Sequence, residues 1–325
     1  EHYVIGFLAC LYAGVIAVPV FPPESMREQH LARLQAIAKD AAAQCIITTS
    51  EILPLIGNTV IAHLTGADIL TVDTVEKDHA QQWLSSTPQP DDIAFLQYTS
   101  GSTSTPKGVM VTHHNLMVNA RAFEEGMSIG ADDIFVSWLP LYHDMGLIGG
   151  LLQPLHRGIP VILMTPGFFI ERPVRWLEVI SRYRGTVSGA PNFAFQLCVE
   201  RVRTSQLQGL DLSTWRVAFS GAEPVRRETM LAFIERFQPA VICCGWGARR
   251  RNENGRIFST VAGPRQGKAE VVSRGLPVVA CGFPASNHSI KIVDPETLTP
   301  LPDGCVGEIW TDGPSLTRGY WQRPH

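Results

Sequence analysis

The sequence predicts an α/β fold in which helix-flanked sheets precede a small β-rich segment. Short β-branched runs alternate with amphipathic helical patterns from Cys45 to Gly245, and that alternation builds parallel sheets covered by helices. From Gly282 the text becomes "SIKIVD", "GEIWT" and Pro/Gly turns with no helical period, which marks a separate β lobe. With 325 residues, 45% of them hydrophobic and 18% charged, the chain is long and apolar enough for a large core of two or three lobes.

The elements follow in order. Tyr3–Phe21, "YVIGFLACLYAGVIAVPVF", is uncharged and nearly as long as a membrane span. Gly14 and Pro19 divide it and no basic cluster precedes it. It therefore reads as a buried helix (Tyr3–Ala13), a turn at Gly14 and a buried strand (Val15–Val20), not as a span or signal. Further helices are expected over Glu24–Ala43, His114–Gly126, Pro173–Arg184, Asn192–Thr204 and Arg226–Phe237. In Pro173–Arg184, Val174, Leu177, Ile180 and Ser181 share one face while Arg175, Glu178 and Arg182 share another. The strands are "CIITT", "IAFLQYT", "IFVSWL", "PVILM", "GTVSGA", "RVAFSGA" and "AVICCG". Thr204–Thr214 reads as a polar surface loop. A net charge of -3 argues against nucleic acid as a partner. Seven cysteines without a CxxC pair argue against zinc or disulfide frameworks and suit a reducing cytoplasm. His113-His114 lacks acidic or cysteine partners at ligand spacing and reads as a surface pair at a helix start.

One loop concentrates chemistry. Tyr98–Gly108, "YTSGSTSTPKG", follows a strand and precedes a helix beginning near His113. Backbone N–H groups in a glycine-containing turn form an anion-holding concavity. Serine and threonine hydroxyls add donors, and Lys107 adds a point charge suited to phosphate oxygens. The loop lacks the Gly-Lys-Ser/Thr ending of a Walker A sequence. Ser104 to Lys107 matches the S-x-x-K signature of serine acyl-enzymes, but no Lys-Thr-Gly partner occurs. A flexible Ser/Thr linker is the bland alternative.

"YTSGSTSTPKGVMVTH" resembles the phosphate loop of the adenylate-forming (AMP-binding) superfamily, and Ser104 resembles its fatty acyl-AMP ligase branch. "LYAGVIAVPVFPP", "WLPLYHDMGLIGGLLQPL", "TPGFFIERPVRWLEVISRYRGTVSGAPNFAFQL", "FSGAEPV" and "IVDPETLTPLPDGCVGEIWTDGPSLTRGYW" are similar to the same branch, in the family's order and over nearly the whole chain. The resemblance implies the large N-terminal domain of adenylate-forming enzymes, with two helix-flanked sheets and a small β-barrel-like lobe. Residues 1–281 would form the nucleotide- and acyl-binding subdomains and 282–325 the start of the β-rich one. It implies activation of a fatty acid by ATP and Mg2+ to acyl-adenylate, for an acyl carrier protein or a polyketide or nonribosomal synthase. Thr99, Ser100, Gly101, Ser102, Thr103 and Lys107 would hold the ATP phosphates. Lys107 and His143 would be catalytic. Gly189, Ala190, Pro191 and Asn192, with His143, would line the acyl pocket, and Asn192 would cap the next helix. Gly221, Ala222 and Glu223 would wall the adenine. Asp144 reads equally as a helix N-cap. Phe193 and Phe195 read as core packing or acyl contacts.

The pattern breaks after "AVICC". Where the family carries a Tyr-Gly-x-Thr/Ala-Glu motif, this sequence has Cys244-Gly245-Trp246-Gly247-Ala248 and then Arg249–Arg251, with no carboxylate before Glu253. The expected Mg2+-binding glutamate is missing, and arginines cannot replace it. A displaced reading frame and real divergence both account for the stretch up to Val279. Both chain ends read as cut, with a preceding segment and a lysine-bearing C-terminal domain absent, so the expectation is impaired adenylation. An acyl-CoA synthetase and a non-catalytic nucleotide- or acyl-binding remnant are the rival readings.

Overall fold

The computed structural model describes residues 1–22, 28–54, 67–98, 106–237, 242–244, 259–261, 277–279 and 284–323. The chain divides into two compact units, Glu1–Met117 with Ser315–His325, and Val118–Pro314.

In the first unit, helix α1 (His2–Ala13) ends where Gly14 adopts φ 68°, a left-handed turn that glycine enters without a Cβ penalty. The helix was expected to be buried, yet only Gly6 and Phe7 are. Gly6 lies under Ile47, and Phe7 meets Phe95 edge-on at 5.7 Å. Ile5 and Tyr12 are exposed. An apolar run specifies a wish for burial, not the partner that grants it. The expected strand Val15–Val20 shrinks to one bridge, Ala17 with Phe95. Ala17 donates to the Ala94 carbonyl and accepts from Leu96 N–H. The next inward-facing donor would be residue 19, and Pro19 has no N–H to continue the ladder.

Helix α2 (Glu28–Asp40) precedes the short parallel pair β1 (Cys45–Thr48) and β2 (Asp68–Thr71). Strand β3 (Ile93–Tyr98) pairs antiparallel with β4 (Gly108–Thr112), a strand absent from the sequence-based expectation, and helix α3 (His113–Met127) follows it. The ends of β3 and β4 are tied down. Tyr98 donates its hydroxyl to Asp40 at 2.7 Å, while Arg323 reaches both Asp40 and the Pro106 carbonyl. Trp321 N–H and Met110 N–H bind the Gly108 and Gly319 carbonyls respectively. Gly108 lets the strands approach here, because a Cβ would come within 2.9 Å of the Tyr98 ring and force it to shift.

The second unit holds the predicted parallel sheet. Strands β5 (Phe135–Ser137), β6 (Val161–Leu163), β7 (Val187–Ala190), β8 (Val217–Ser220) and β9 (Ile242–Cys244) are all parallel, in the order β6-β5-β7-β8-β9. Every residue of β5, β7 and β8 is buried, as expected of a sheet covered on both faces. The intervening helices are α4 (Gln153–Arg157), α5 (Pro166–Glu171), α6 (Val174–Tyr183), α7 (Asn192–Arg201) and α8 (Arg227–Phe237). In α6, Val174, Trp176, Leu177 and Ile180 are buried, so the predicted apolar face packs inward. An aromatic cluster fills the core: Trp138 stacks on Phe169 at 4.1 Å, and Trp176 meets Phe195 and Trp215 edge-on. The expected polar loop 204–214 also serves this core, since Leu207, Leu210 and Leu212 pack against it.

Strands β10 (Ser259–Val261) and β11 (Pro277–Val279) form an antiparallel pair. In the predicted β lobe, β12 (Ser289–Val293) and β13 (Glu308–Asp312) pair antiparallel. Among the described residues this lobe is a two-stranded ribbon, without the closure of a barrel. No helix among the described residues is long and apolar enough to cross a membrane.

Candidate active site

Because β5, β7 and β8 are parallel neighbours, the segments that leave their carboxyl ends lie side by side. That is where open α/β sheets place ligands. The second unit brings three predicted groups to this edge: the His143 segment after β5, Gly189–Asn192 at the end of β7, and Gly221–Glu223 after β8.

After β5 the chain turns through Pro140 to His143 and enters a π-helical segment, Met145–Leu152. Two glycines allow its close approach. A Cβ on Gly146 would overlap the Pro140 carbonyl, and one on Gly150 would come within 2.6 Å of Ser137 Oγ. π-Helical turns recur at functional sites. Asp144 caps this segment, as the sequence allows, and also meets His143. Its carboxylate accepts from Met145 N–H at 2.6 Å as the cap, and it holds His143 Nδ1 at 2.7 Å. That hydrogen bond raises the His143 pKa above its ordinary value, outweighing burial. The same bond holds the Asp144 carboxyl below the usual carboxylate range. With Nδ1–H directed at Asp144, Nε2 donates only when the ring is cationic, and Asp144 favours that cation.

Gly189 sits in β7 where a Cβ would overlap the ring and carbonyl oxygen of Phe219 in β8. Ala190 is fully buried. Pro191 is the N-cap of α7 and gives it no side-chain cap. Asn192, expected to cap the helix, does not. It is the first helical residue, and its Oδ1 accepts from Arg226 N–H at 2.9 Å. The cap comes from the neighbouring loop, where Glu223 Oε1 accepts from Phe193 N–H at 2.6 Å. Thus Asn192 and Glu223 clamp the β7 and β8 exits to each other. Ala222, between them in the predicted adenine wall, adopts φ 65°, a conformation that costs a non-glycine residue free energy. Phe195 is core, whereas Phe193 is exposed.

A cavity opens beside these groups. It is lined by Phe123 and Met127 of α3, Met145 and Gly149 of the π-helical segment, and Phe219, Ser220 and Gly221 at the end of β8. It encloses about 10 Å³, room for little more than one water. Of these residues the sequence singles out Gly221; Met145, Gly149, Phe219 and Ser220 fall within family-like stretches, and nothing local in α3 singles out Phe123 or Met127.

Lys107 belongs to the first unit, where its Nζ lies 5.4 Å from the centre of the Tyr320 ring, a cation–π distance. Thr99, Ser100, Gly101, Ser102 and Thr103 lie outside the described residues, as do Trp246, Arg249–Arg251 and Glu253. Among the described residues no three His, Cys, Asp or Glu side chains group to hold a metal ion.

The sequence pattern of the AMP-binding enzyme family matches residues 1–321. The medium-chain-fatty-acid–[acyl-carrier-protein] ligase JamA of Moorena producens is 39% identical over 99% of this chain and 59% of its own length. The long-chain-fatty-acid–AMP ligase FadD26 of Mycobacterium tuberculosis is 36% identical, with the same two coverages. The fatty acyl-adenylate ligase of L. pneumophila, solved with acyl adenylate and pyrophosphate, superposes with a TM-score of 0.88 at 36% identity, over all of this chain and 59% of that one. The chain thus spans about three-fifths of the length of these relatives.

Proposed function

The chain belongs to the AMP-binding enzyme family, and from that premise we propose that it is the substrate-binding part of a cytoplasmic fatty acyl-AMP ligase. A fatty-acid carboxylate oxygen attacks the α-phosphorus of ATP. The bond from that phosphorus to the bridging oxygen of the β-phosphate breaks, and pyrophosphate leaves. The acyl-adenylate then goes to an acyl carrier protein, as in polyketide or nonribosomal assembly. The observation that supports this reading is the shared sheet edge, where the His143–Asp144 segment, the Gly189–Asn192 strand end and the glycine-started loop leave the carboxyl ends of the parallel strands β5, β7 and β8.

Each residue has a role. When cationic, His143 donates from Nε2 to an oxygen of the carboxylate or α-phosphate, easing the approach of two anions. Asp144 holds the ring and favours its charged form. Gly189, Ala190, Pro191 and Asn192, with His143, line the acyl pocket. Gly221, Ala222 and Glu223 wall the adenine. Thr99–Thr103 and Lys107 hold the β- and γ-phosphates. Residues 282–325 begin a β-rich subdomain. Mg2+ would accompany ATP and neutralise phosphate charge. No described cluster of carboxylates fits it.

Calorimetric titration of the chain with a non-hydrolysable acyl-adenylate analogue tests the proposal. Saturable one-to-one binding that His143→Ala weakens about tenfold or more, the worth of one charge-assisted hydrogen bond, is the expected result. A flat titration of the folded chain would overturn it.

A further inference from the structure

Lys107 immediately precedes β4, and backbone pairing sets the ring beside it. Val109 bridges antiparallel to Tyr320. Met110 N–H donates to the Gly319 carbonyl at 3.0 Å, and Trp321 N–H donates to the Gly108 carbonyl at 2.8 Å. Side chains alternate along extended backbone, so Lys107 shares a face with Val109, two residues on. Tyr320, opposite Val109, is then the diagonal neighbour of Lys107, and its ring centre lies 5.4 Å from Lys107 Nζ. The residue before the lysine is held too, since Arg323 donates to the Pro106 carbonyl at 3.1 Å. Charge separates this lysine from the arginines that flank Tyr320. Arg318 pairs with Asp91 at 2.6 Å and Arg323 with Asp40 at 3.0 Å. Among the described residues no carboxylate pairs with Lys107. A carboxylate partner would compete with an incoming phosphate, whereas a ring holds the ammonium through its quadrupole and leaves the charge whole. Tyr320 is exposed and Lys107 half-buried, so solvent and its anions reach the contact.

We propose that Tyr320 is a positioning residue for Lys107: its ring holds the lysine ammonium in place, with its charge unspent, for a phosphate group of the nucleotide. The inference rests on the reading of Lys107 as a phosphate ligand and adds the residue that orients it. Lysine is a point charge on a flexible stem, and ordering that stem opposes binding. A ring that orders it beforehand removes part of that cost. Two ammonium protons stay free to face the phosphate while the third points at the ring.

The test is calorimetric titration of the chain with ATP, run on wild type, Tyr320→Phe, Tyr320→Leu, Lys107→Ala and the double variant Lys107→Ala/Tyr320→Leu, with circular dichroism to verify folding. Tyr320→Leu should weaken ATP about two- to fivefold, the worth of an exposed cation–π contact, and Tyr320→Phe, which keeps a ring, should restore the affinity. In the Lys107→Ala background Tyr320→Leu should cost nothing further, because the ring acts only through the lysine. A merely structural role for Tyr320 would persist in that background. If Tyr320→Leu binds ATP as wild type does, or if its loss is as large without Lys107, the inference falls while a weakened Lys107→Ala keeps the phosphate reading standing. If Lys107→Ala binds ATP as tightly as wild type, or wild type binds none, both fall.

Discussion

At His143 one hydrogen bond decides which proton the imidazole carries. The Asp144 carboxylate raises the ring's pKa, so the donating cation persists above the ordinary value of about 6.5. Analogue affinity should therefore be full at low pH and fall as pH rises through the raised pKa. In Asp144→Asn the midpoint should move down toward the ordinary value, and imidazole proton shifts measured by NMR check it. The linkage to stability has the same sign. The pair contributes below the unfolded histidine value and its contribution is lost as pH rises through the folded one. Both side chains are about half exposed, so the stability effect is small beside the effect on binding. Gly189 is constrained by sterics alone. Gly189→Ala pushes a methyl group into Phe219 in a fully buried pair of strands and should cost about 1–3 kcal/mol, read as a lowered denaturant midpoint.

Between elements, two polar devices tie the strands of the sheet together. On the ligand edge Glu223 caps α7 from the next loop. Glu223→Ala should lose about 1 kcal/mol, the usual worth of a helix cap, in thermal unfolding, whereas Glu223→Gln, which keeps an acceptor, should lose less. Ahead of the strands lies Asp133. It accepts from Gly130 N–H at 2.7 Å, from Thr186 Oγ1 at 2.6 Å and from Arg216 Nε at 2.9 Å, and Arg216 also binds the Met127 and Ser128 carbonyls. The approaches to β5, β7 and β8 are thereby locked. Burial pushes the Asp133 pKa up, but these hydrogen bonds and the Arg216 charge outweigh it and hold it below its ordinary value. Its contribution is present above the unfolded carboxyl value and lost as pH falls through the folded one. Asp133→Ala strands a partly buried guanidinium and should cost about 3 kcal/mol at neutral pH. Urea titrations across the acid range should show that loss shrinking as pH falls.

For the whole molecule, a ligand that binds only the folded chain must stabilise it. An acyl-adenylate analogue at a hundred times its Kd should add about 2.7 kcal/mol to unfolding, and a thermal shift that saturates with the calorimetric Kd checks it. The sequence by itself determined the alternation of strands and helices, the inward face of α6, the parallel sheet and the family, because each depends on neighbours a few residues apart or on contiguous text. Only the tertiary structure decided the rest. Strand β4 shows itself by pairing with β3 across the hairpin, and Val15–Val20 is reduced to the Ala17–Phe95 bridge, with Pro19 lacking the N–H to extend it. The helix cap passed from Asn192 to Glu223, thirty residues away from the amide it binds. The cavity collects side chains from α3, the π-helical segment and β8. Caps, cross-strand partners and cavity walls belong to pairs of residues distant in the chain, and periodicity, which reads one segment at a time, has no access to them.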